Sequence, residues 1–367
     1  MTANLHSRRW RSHRAPPSDR PGSARLSARD ALPALRLSAL RRGLHFAGVR
    51  RWVHQNRKDL PVSLPMPRFL STSLLFGLAA GLGASLLSSG CGGRGPQPAR
   101  TTIQVKGSDT MVNVAQAWAE EYKKVAPGVE VEVSGGGSGV GIAALEKGTI
   151  DIADASRNMK TDEIEQSKRN TGKEPKEFIV GFDALAVYVN KDTPISEIAL
   201  AQLAQIYAEG GSITRWSQLG VTIPRVSDDT IVRVSRQSSS GTYDFFREHV
   251  LNKRDFKLGS RDMNGSKEVV ELVGTTKTAI GYSGMGYATP AVKMLRIARA
   301  PGEPAVAPTV ENTLNKSYPL ARSLQVYTLG NPQGAVKAYV DWMLSDAGQR
   351  ILQDNGYVPV PARDRHM

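Results

Sequence analysis

Arg236, Gln237, Ser238, Ser239, Ser240, Gly241 and Thr242 form a run that ends the alternating, β-type residues 231–234 and opens the helical-looking residues 243–250. Such a junction brings backbone N–H groups, several hydroxyls and one guanidinium to one place. First-turn N–H groups of a helix have no partner inside the helix, and the macrodipole adds partial positive charge, so an oxyanion is favoured there. Gly241 lets the backbone come close, and Arg236 can offer a fork of donors to a tetrahedral oxyanion.

Three earlier loops carry similar groups: Ser108-Asp109-Thr110, the glycine run that reaches Ser138-Gly139, and Ser156-Arg157. A Gly/Ser loop before a helix is, taken singly, more often a turn with an N-cap. The run at residues 135–139 also lacks the Gly-Lys-Ser/Thr of a phosphate-binding P-loop. Four such loops, with hydroxyls at Ser108, Ser138, Ser156 and Ser240 and an arginine at two of them, point to one shared anion site.

The elements that position these loops follow from periodicity. Residues 102–106 read as a strand. Met111, Val114, Ala115, Trp118, Ala119 and Tyr122 then fall at three- and four-residue steps, a helix that Pro127-Gly128 stops. Val129, Val131 and Val133 alternate with Glu130 and Glu132 as a second strand. A short helix ending at Gly148 and a third strand at residues 150–153 follow. Strand, helix, strand, helix, strand implies parallel pairing with right-handed crossovers, which sets the loops at the carboxyl ends of strands, where open α/β sheets bind ligands. Residues 182–189 and 278–282 are apolar β-type runs that bracket a central segment with its own helices. They read as two crossings between lobes, one built from residues 101–182 and 283–367 and the other from 183–282. Residues 335–344 and 346–352 look helical and complete the first core.

The chain of 367 residues is longer than one core usually holds, so two domains are expected. The net charge of +14 is concentrated at the start: residues 1–65 hold 14 Lys and Arg against 3 Asp and Glu, a balance of +11, which leaves +3 for the rest. A nucleic-acid groove would need its basic residues clustered on the folded part, and no such cluster is present. Cys91 is the single cysteine, and of six histidines only His249 and His366 lie beyond it. A disulfide within the chain and a His/Cys metal cage are both excluded, and no cofactor motif is apparent.

Residues 1–65 form an Arg-rich extension without helical or strand period, compatible with a disordered tail or a transit peptide. We read Met66 as the true start of translation. A basic, short n-region, an apolar run at residues 71–87 and the small residues Ser88-Ser89-Gly90 then precede Cys91, the order of a secretory signal at residues 66–90. A cysteine at that point resembles a bacterial lipobox, although Ser88 stands where an apolar residue is usual. On this reading Cys91 is lipidated and residues 91–100 tether the fold to a membrane.

Residues 102–361 resemble the periplasmic phosphate-binding proteins of high-affinity phosphate ABC transporters, the PstS type. The resemblance rests on Gly107-Ser108-Asp109-Thr110-Met111, Gly136-Gly137-Ser138-Gly139, Asp151-Ile152-Ala153-Asp154-Ala155-Ser156-Arg157, Arg236 with Ser240-Gly241-Thr242, Ile280-Gly281-Tyr282-Ser283 and Trp342-Met343-Leu344-Ser345. It implies an α/β, two-lobed periplasmic binding protein, type II-like, each lobe a mainly parallel sheet flanked by helices. One inorganic phosphate would lie in the cleft between lobes and pass to an ABC permease. The protein would be a monomer at the periplasm or cell surface, held by its lipid, binding no nucleic acid and catalysing no reaction. Ser108, Asp109, Thr110, Ser138, Gly139, Ser156, Arg157, Arg236, Ser240, Gly241 and Thr242 are its implied ligand residues.

One position departs from the family pattern. Well-known members carry an aspartate after the serine that is here Ser156, and that carboxylate accepts the hydrogen bond donated by the protonated oxygen of phosphate; here the residue is Arg157. An acceptor-only group separates phosphate from sulfate, which has no proton to donate. We expect Asp109 to supply the acceptor, with Arg157 paired to it or to the anion; the simpler role for Asp109 is a cap on the following helix. The competing functions are binding of sulfate or molybdate, scavenging or sensing of phosphate without transport, and a phosphatase that uses the same cradle. The last lacks an evident base beside its serines, Asp109 next to Ser108 excepted.

Overall fold

The structure is a computed structural model and describes residues 101–365. The Arg-rich extension, the expected signal, Cys91 and the expected tether, residues 1–100, lie outside the described residues. The chain opens with β1 (Thr101–Gly107), α1 (Val112–Val125), β2 (Val129–Ser134), α2 (Ser138–Glu146), β3 (Ile152–Ala155) and α3 (Thr161–Thr171). β1 pairs in parallel with β2 on one side and β3 on the other, which sets three successive loops along one edge of the sheet. α1 buries Val114, Ala115, Trp118 and Tyr122, the three- and four-residue stripe its sequence carries.

β4 (Pro175–Asn190) is a single strand of 16 residues, beginning before the apolar run that marks it in the sequence. After β5 (Glu197–Ala199) and α4 (Leu200–Tyr207) come β6 (Val232–Arg236), α5 (Gly241–His249), β7 (Arg261–Met263), α6 (Ser266–Thr275) and β8 (Ala279–Gly284). β9 (Val292–Met294), β10 (Arg296–Ala298), α7 (Val310–Leu314), β11 (Ala321–Leu329), α8 (Gly334–Leu344) and α9 (Asp346–Asp354) complete the described chain.

The main sheet runs β2-β1-β3-β11-β4-β8-β6-β7. The first part of β4 pairs antiparallel with β11, and its second part pairs antiparallel with β8. β8, β6 and β7 are parallel to one another. Two mainly parallel half-sheets are thus joined through one continuous strand. The return of the chain comes later than expected: β9 pairs with the far end of β4 and β10 with β5, so the first half-sheet is re-entered at β11 and not near residue 283. The apolar reason lies in Leu295, Ile297, Tyr318 and Leu320, which are buried among Leu203, Trp216, Phe246 and Tyr282 of the second half.

Candidate functional site

The carboxyl ends of β1, β3 and β6 and the N-termini of α2 and α5 meet at one point. Ser108 Oγ donates to Ser156 Oγ at 3.0 Å, Ser138 Oγ lies 3.4 Å from Ser156 Oγ, and Ser156 N donates to Ser138 Oγ at 3.1 Å. The second half-sheet supplies Gly241, the first residue of α5. A Cβ there would stand 2.4 Å from Ser138 Oγ and 2.8 Å from Ser156 Oγ. No side chain fits that approach, so glycine is needed for contact between halves. Gly137, at φ 98°, turns the chain into α2 and approaches the Ser239 carbonyl just as closely.

Further bonds hold the cleft shut. Gly139 N donates to Ser239 O at 2.9 Å and Ser239 Oγ to Gly136 O at 3.0 Å. Thr110 Oγ1 and Thr242 Oγ1 are 2.8 Å apart, contributed by opposite halves. Ser108, Ser138, Ser156 and Ser240 are all 2% exposed or less. A groove of about 500 Å³ between Lys106 and Lys147 lies on the outer side of the Gly139–Ser239 contact, apart from this serine cluster. Ser240 Oγ also accepts from Thr242 N at 3.2 Å and so caps α5.

The first loop is fixed from behind. Tyr287 Oη donates to Asp109 O at 2.9 Å and Tyr357 Oη donates to Thr110 O. In the trans peptide the Thr110 N–H points away from the Asp109 carbonyl, while Met111 N donates to Ser108 O at 3.0 Å and closes the loop. The Asp109 side chain does not cap α1, whose N-cap is Met111. Its Oδ1 accepts from Gly136 N at 2.7 Å and its Oδ2 from Arg236 Nη2 at 2.9 Å.

Arg236 is fully buried, and its other bonds run to Ser266 Oγ at 3.0 Å and Asn264 O at 2.8 Å. Burial lowers its pKa against the opposing field of Asp109, yet a guanidinium stays charged. Arg236 is therefore as much a tie between halves as a donor fork.

The expectation for Arg157 is corrected. It pairs neither with Asp109 nor with the serine cluster: Nη1 and Nη2 donate to Glu163 at 2.8 and 2.7 Å, and Nε lies 2.9 Å from Asp244 Oδ2 of the opposite half. Lys160 Nζ reaches the same carboxylate at 3.2 Å. Desolvation works against the charge of Arg157, and Glu163 and Asp244 outweigh it, leaving its pKa raised. Residue 157 has become a strap across the cleft because Glu163, one turn into α3, offers a bidentate partner closer than the site.

Two residues that the sequence did not single out lie at the floor. Arg322 on β11 and Asp183 on β4 form a buried pair, Nη2 to Oδ2 at 2.7 Å, and Arg322 also reaches Thr110, Thr242 and the Ser156 carbonyl. An arginine inside an apolar β-type run was the signal available. Each guanidinium of the site thus has its own carboxylate, so an anion here would meet amide and hydroxyl dipoles and little net charge. Among the described residues no group of His, Cys, Asp and Glu could hold a metal ion.

The chain matches known proteins over the same region. A family model, the PBP superfamily domain, covers residues 92–347. The phosphate-binding protein PstS of Pseudomonas aeruginosa is 35% identical over 267 residues, 70% of this chain and 82% of that one. That of Staphylococcus aureus is 30% identical over 293 residues, 77% and 86%. A substrate-binding protein assigned to a phosphate ABC transporter of Clostridium perfringens, solved with phosphate bound, superposes with TM-score 0.62 at 30% identity, over 71% of this chain and all of that one.

Proposed function

As the chain belongs to the PstS-type phosphate-binding proteins of the PBP superfamily, we propose that it binds inorganic phosphate in the cleft between its half-sheets and delivers it to an ABC permease. It acts as a binding protein and not as an enzyme. The observation that carries this reading is the approach of Gly241 to the Ser138 and Ser156 hydroxyls, too close for any side chain, from opposite sides of the cleft.

The proposed ligand groups are the hydroxyls of Ser108, Thr110, Ser138, Ser156, Ser240 and Thr242, the amides of Thr110 and Gly241, and the remaining N–H groups of Arg236; Gly139 N is already given to Ser239 O. Hydrogen bonds to a charged partner are worth about 1.5–3 kcal/mol each, and several of them offset desolvation of the anion to reach micromolar affinity or better. Asp109 is proposed as the acceptor for the phosphate proton. Its two oxygens take one bond each from Gly136 and Arg236, which leaves lone pairs free. Sulfate would set two negative groups together unpaired.

Ligand binding is coupled to closure of two lobes, residues 101–182 with the return from β11 and the segment between them, about β4. A permease can then distinguish a closed, loaded protein from an open one. The same reading includes translation from Met66, a signal at residues 66–90 and a lipid on Cys91, supported by the order of the sequence there. Calorimetric titration with phosphate, sulfate and molybdate tests the ligand. Phosphate is expected to bind alone at micromolar concentration; sulfate or molybdate binding as tightly would replace it.

A further inference from the structure

Arg322 comes from β11, a strand that contributes none of the four loops, yet its guanidinium lies against three of them. Asp183 Oδ2 accepts from its Nε at 3.0 Å and its Nη2 at 2.7 Å, while Asp183 Oδ1 accepts from Met285 N at 3.0 Å. The Phe245 ring, 5.5 Å from the guanidinium carbon, covers the cation. What remains of the fork faces the cleft. Nη1 donates to Thr242 Oγ1 at 3.1 Å and to Ser156 O at 3.2 Å, and Nη2 to Thr110 Oγ1 at 3.4 Å.

A guanidinium has donors and no acceptor and does not deprotonate in proteins. Both threonine hydroxyls must therefore accept from it. Those two hydroxyls, 2.8 Å apart, own two protons, and the bond between them uses one. The other proton has to leave the pair. A group that demanded a proton instead, such as a carboxylate beside Thr110 and Thr242, would turn one hydroxyl into an acceptor toward the ligand. Asp183 is kept from that part because its oxygens already take Arg322 and Met285.

We propose that Arg322 is a positioning residue for anion selection: by donating to Thr110 and Thr242 it makes the hydroxyl pair a net donor of one O–H to the bound oxyanion, while Asp183 cancels its charge. The inference rests on the phosphate-site reading above and adds to it a residue that acts through others. It separates orientation of donors from attraction by charge, since the pair Arg322–Asp183 brings no net charge to the site.

A double-mutant cycle in phosphate affinity tests it, measured by calorimetry on the unmodified protein, Thr242→Val, Arg322→Met with Asp183→Asn, and the three changes together, with a thermal melt of each. Replacing the ion pair by neutral groups avoids an unpaired buried carboxylate. Thr242→Val is expected to weaken phosphate binding about tenfold in the unmodified protein and less than about threefold once Arg322 is gone. Arg322→Lys, which keeps the partner of Asp183 but cannot span both hydroxyls, supplies a second arm: a loss of at least about threefold at unchanged melting temperature. An equal effect of Thr242→Val in both backgrounds, or wild-type affinity in Arg322→Lys, would overturn the proposal. An unmodified protein that binds no phosphate is a separate result, which removes the function and this inference with it.

Discussion

Substituting alanine for Gly241 adds one methyl group at the point where the two halves of the cleft come nearest. In the closed structure that methyl would stand 2.4 Å from Ser138 Oγ, 2.9 Å from Ser138 Cβ and 2.8 Å from Ser156 Oγ. Both serines are buried and on short side chains, so neither can swing aside without withdrawing its hydroxyl from the site. Overpacking of this kind costs about 1–3 kcal/mol, which at about 1.4 kcal/mol per decade is a phosphate affinity roughly 5- to 150-fold weaker. The cost falls on the closed form alone. Gly241 is the first residue of α5, and alanine is the better helix former, so the melting temperature without phosphate is expected to stay level or rise slightly. Calorimetry gives the affinity and a thermal melt the control. A Gly241→Ala protein that binds phosphate as tightly as the parent would show that the closed contact does not form on the ligand, and the convergence of loops would lose its meaning.

Asp109→Asn is expected to weaken phosphate binding by about tenfold or more and to raise the affinity for sulfate, read by titration with both anions; unchanged values for both would remove Asp109 as the acceptor. Asp244→Asn cuts the strap to Arg157 and Lys160, and phosphate release followed by stopped flow should become about tenfold faster, since the pair is partly exposed and worth about 1–2 kcal/mol. Asp154, at the end of β3 and 3% exposed, has its pKa pushed up by burial to about 7. In the unfolded chain the same carboxyl titrates near pH 4, so between about pH 4 and 7 the folded state binds the extra proton and stability falls as pH rises through that window. Asp154→Asn should accordingly raise the melting temperature at pH 8 and leave it nearly unchanged at pH 4; an equal shift at both would refute the assignment.

Much of the first half-sheet was legible because its signals are local. Val129, Val131 and Val133 declare an alternating strand, Trp118 and Tyr122 sit on a helical stripe, and glycines mark the turns into α2 and α5. Sequence periodicity placed Ser108, Ser138, Ser156 and Ser240 on loops of one edge. What it did not carry were partners far apart in the chain. Arg322 and Asp183 are 139 positions from one another, and nothing near either shows that they meet. The expected pairing of Arg157 with Asp109 failed for a related reason: Glu163 enters reach only once α3 has formed and Asp244 only once α5 crosses the cleft. The position of residues 285–320 likewise depended on apolar contacts of Leu295 and Tyr318 with the far half, which no local period encodes.

The most direct test is a crystal structure of the protein grown with phosphate. The account predicts one tetrahedral anion within hydrogen-bond distance of Ser138 Oγ, Ser156 Oγ and the amides at the start of α5, with Asp109 on its protonated oxygen. Phosphate bound elsewhere, or held by Ser138 and Ser156 while α5 stands away from them, would contradict it.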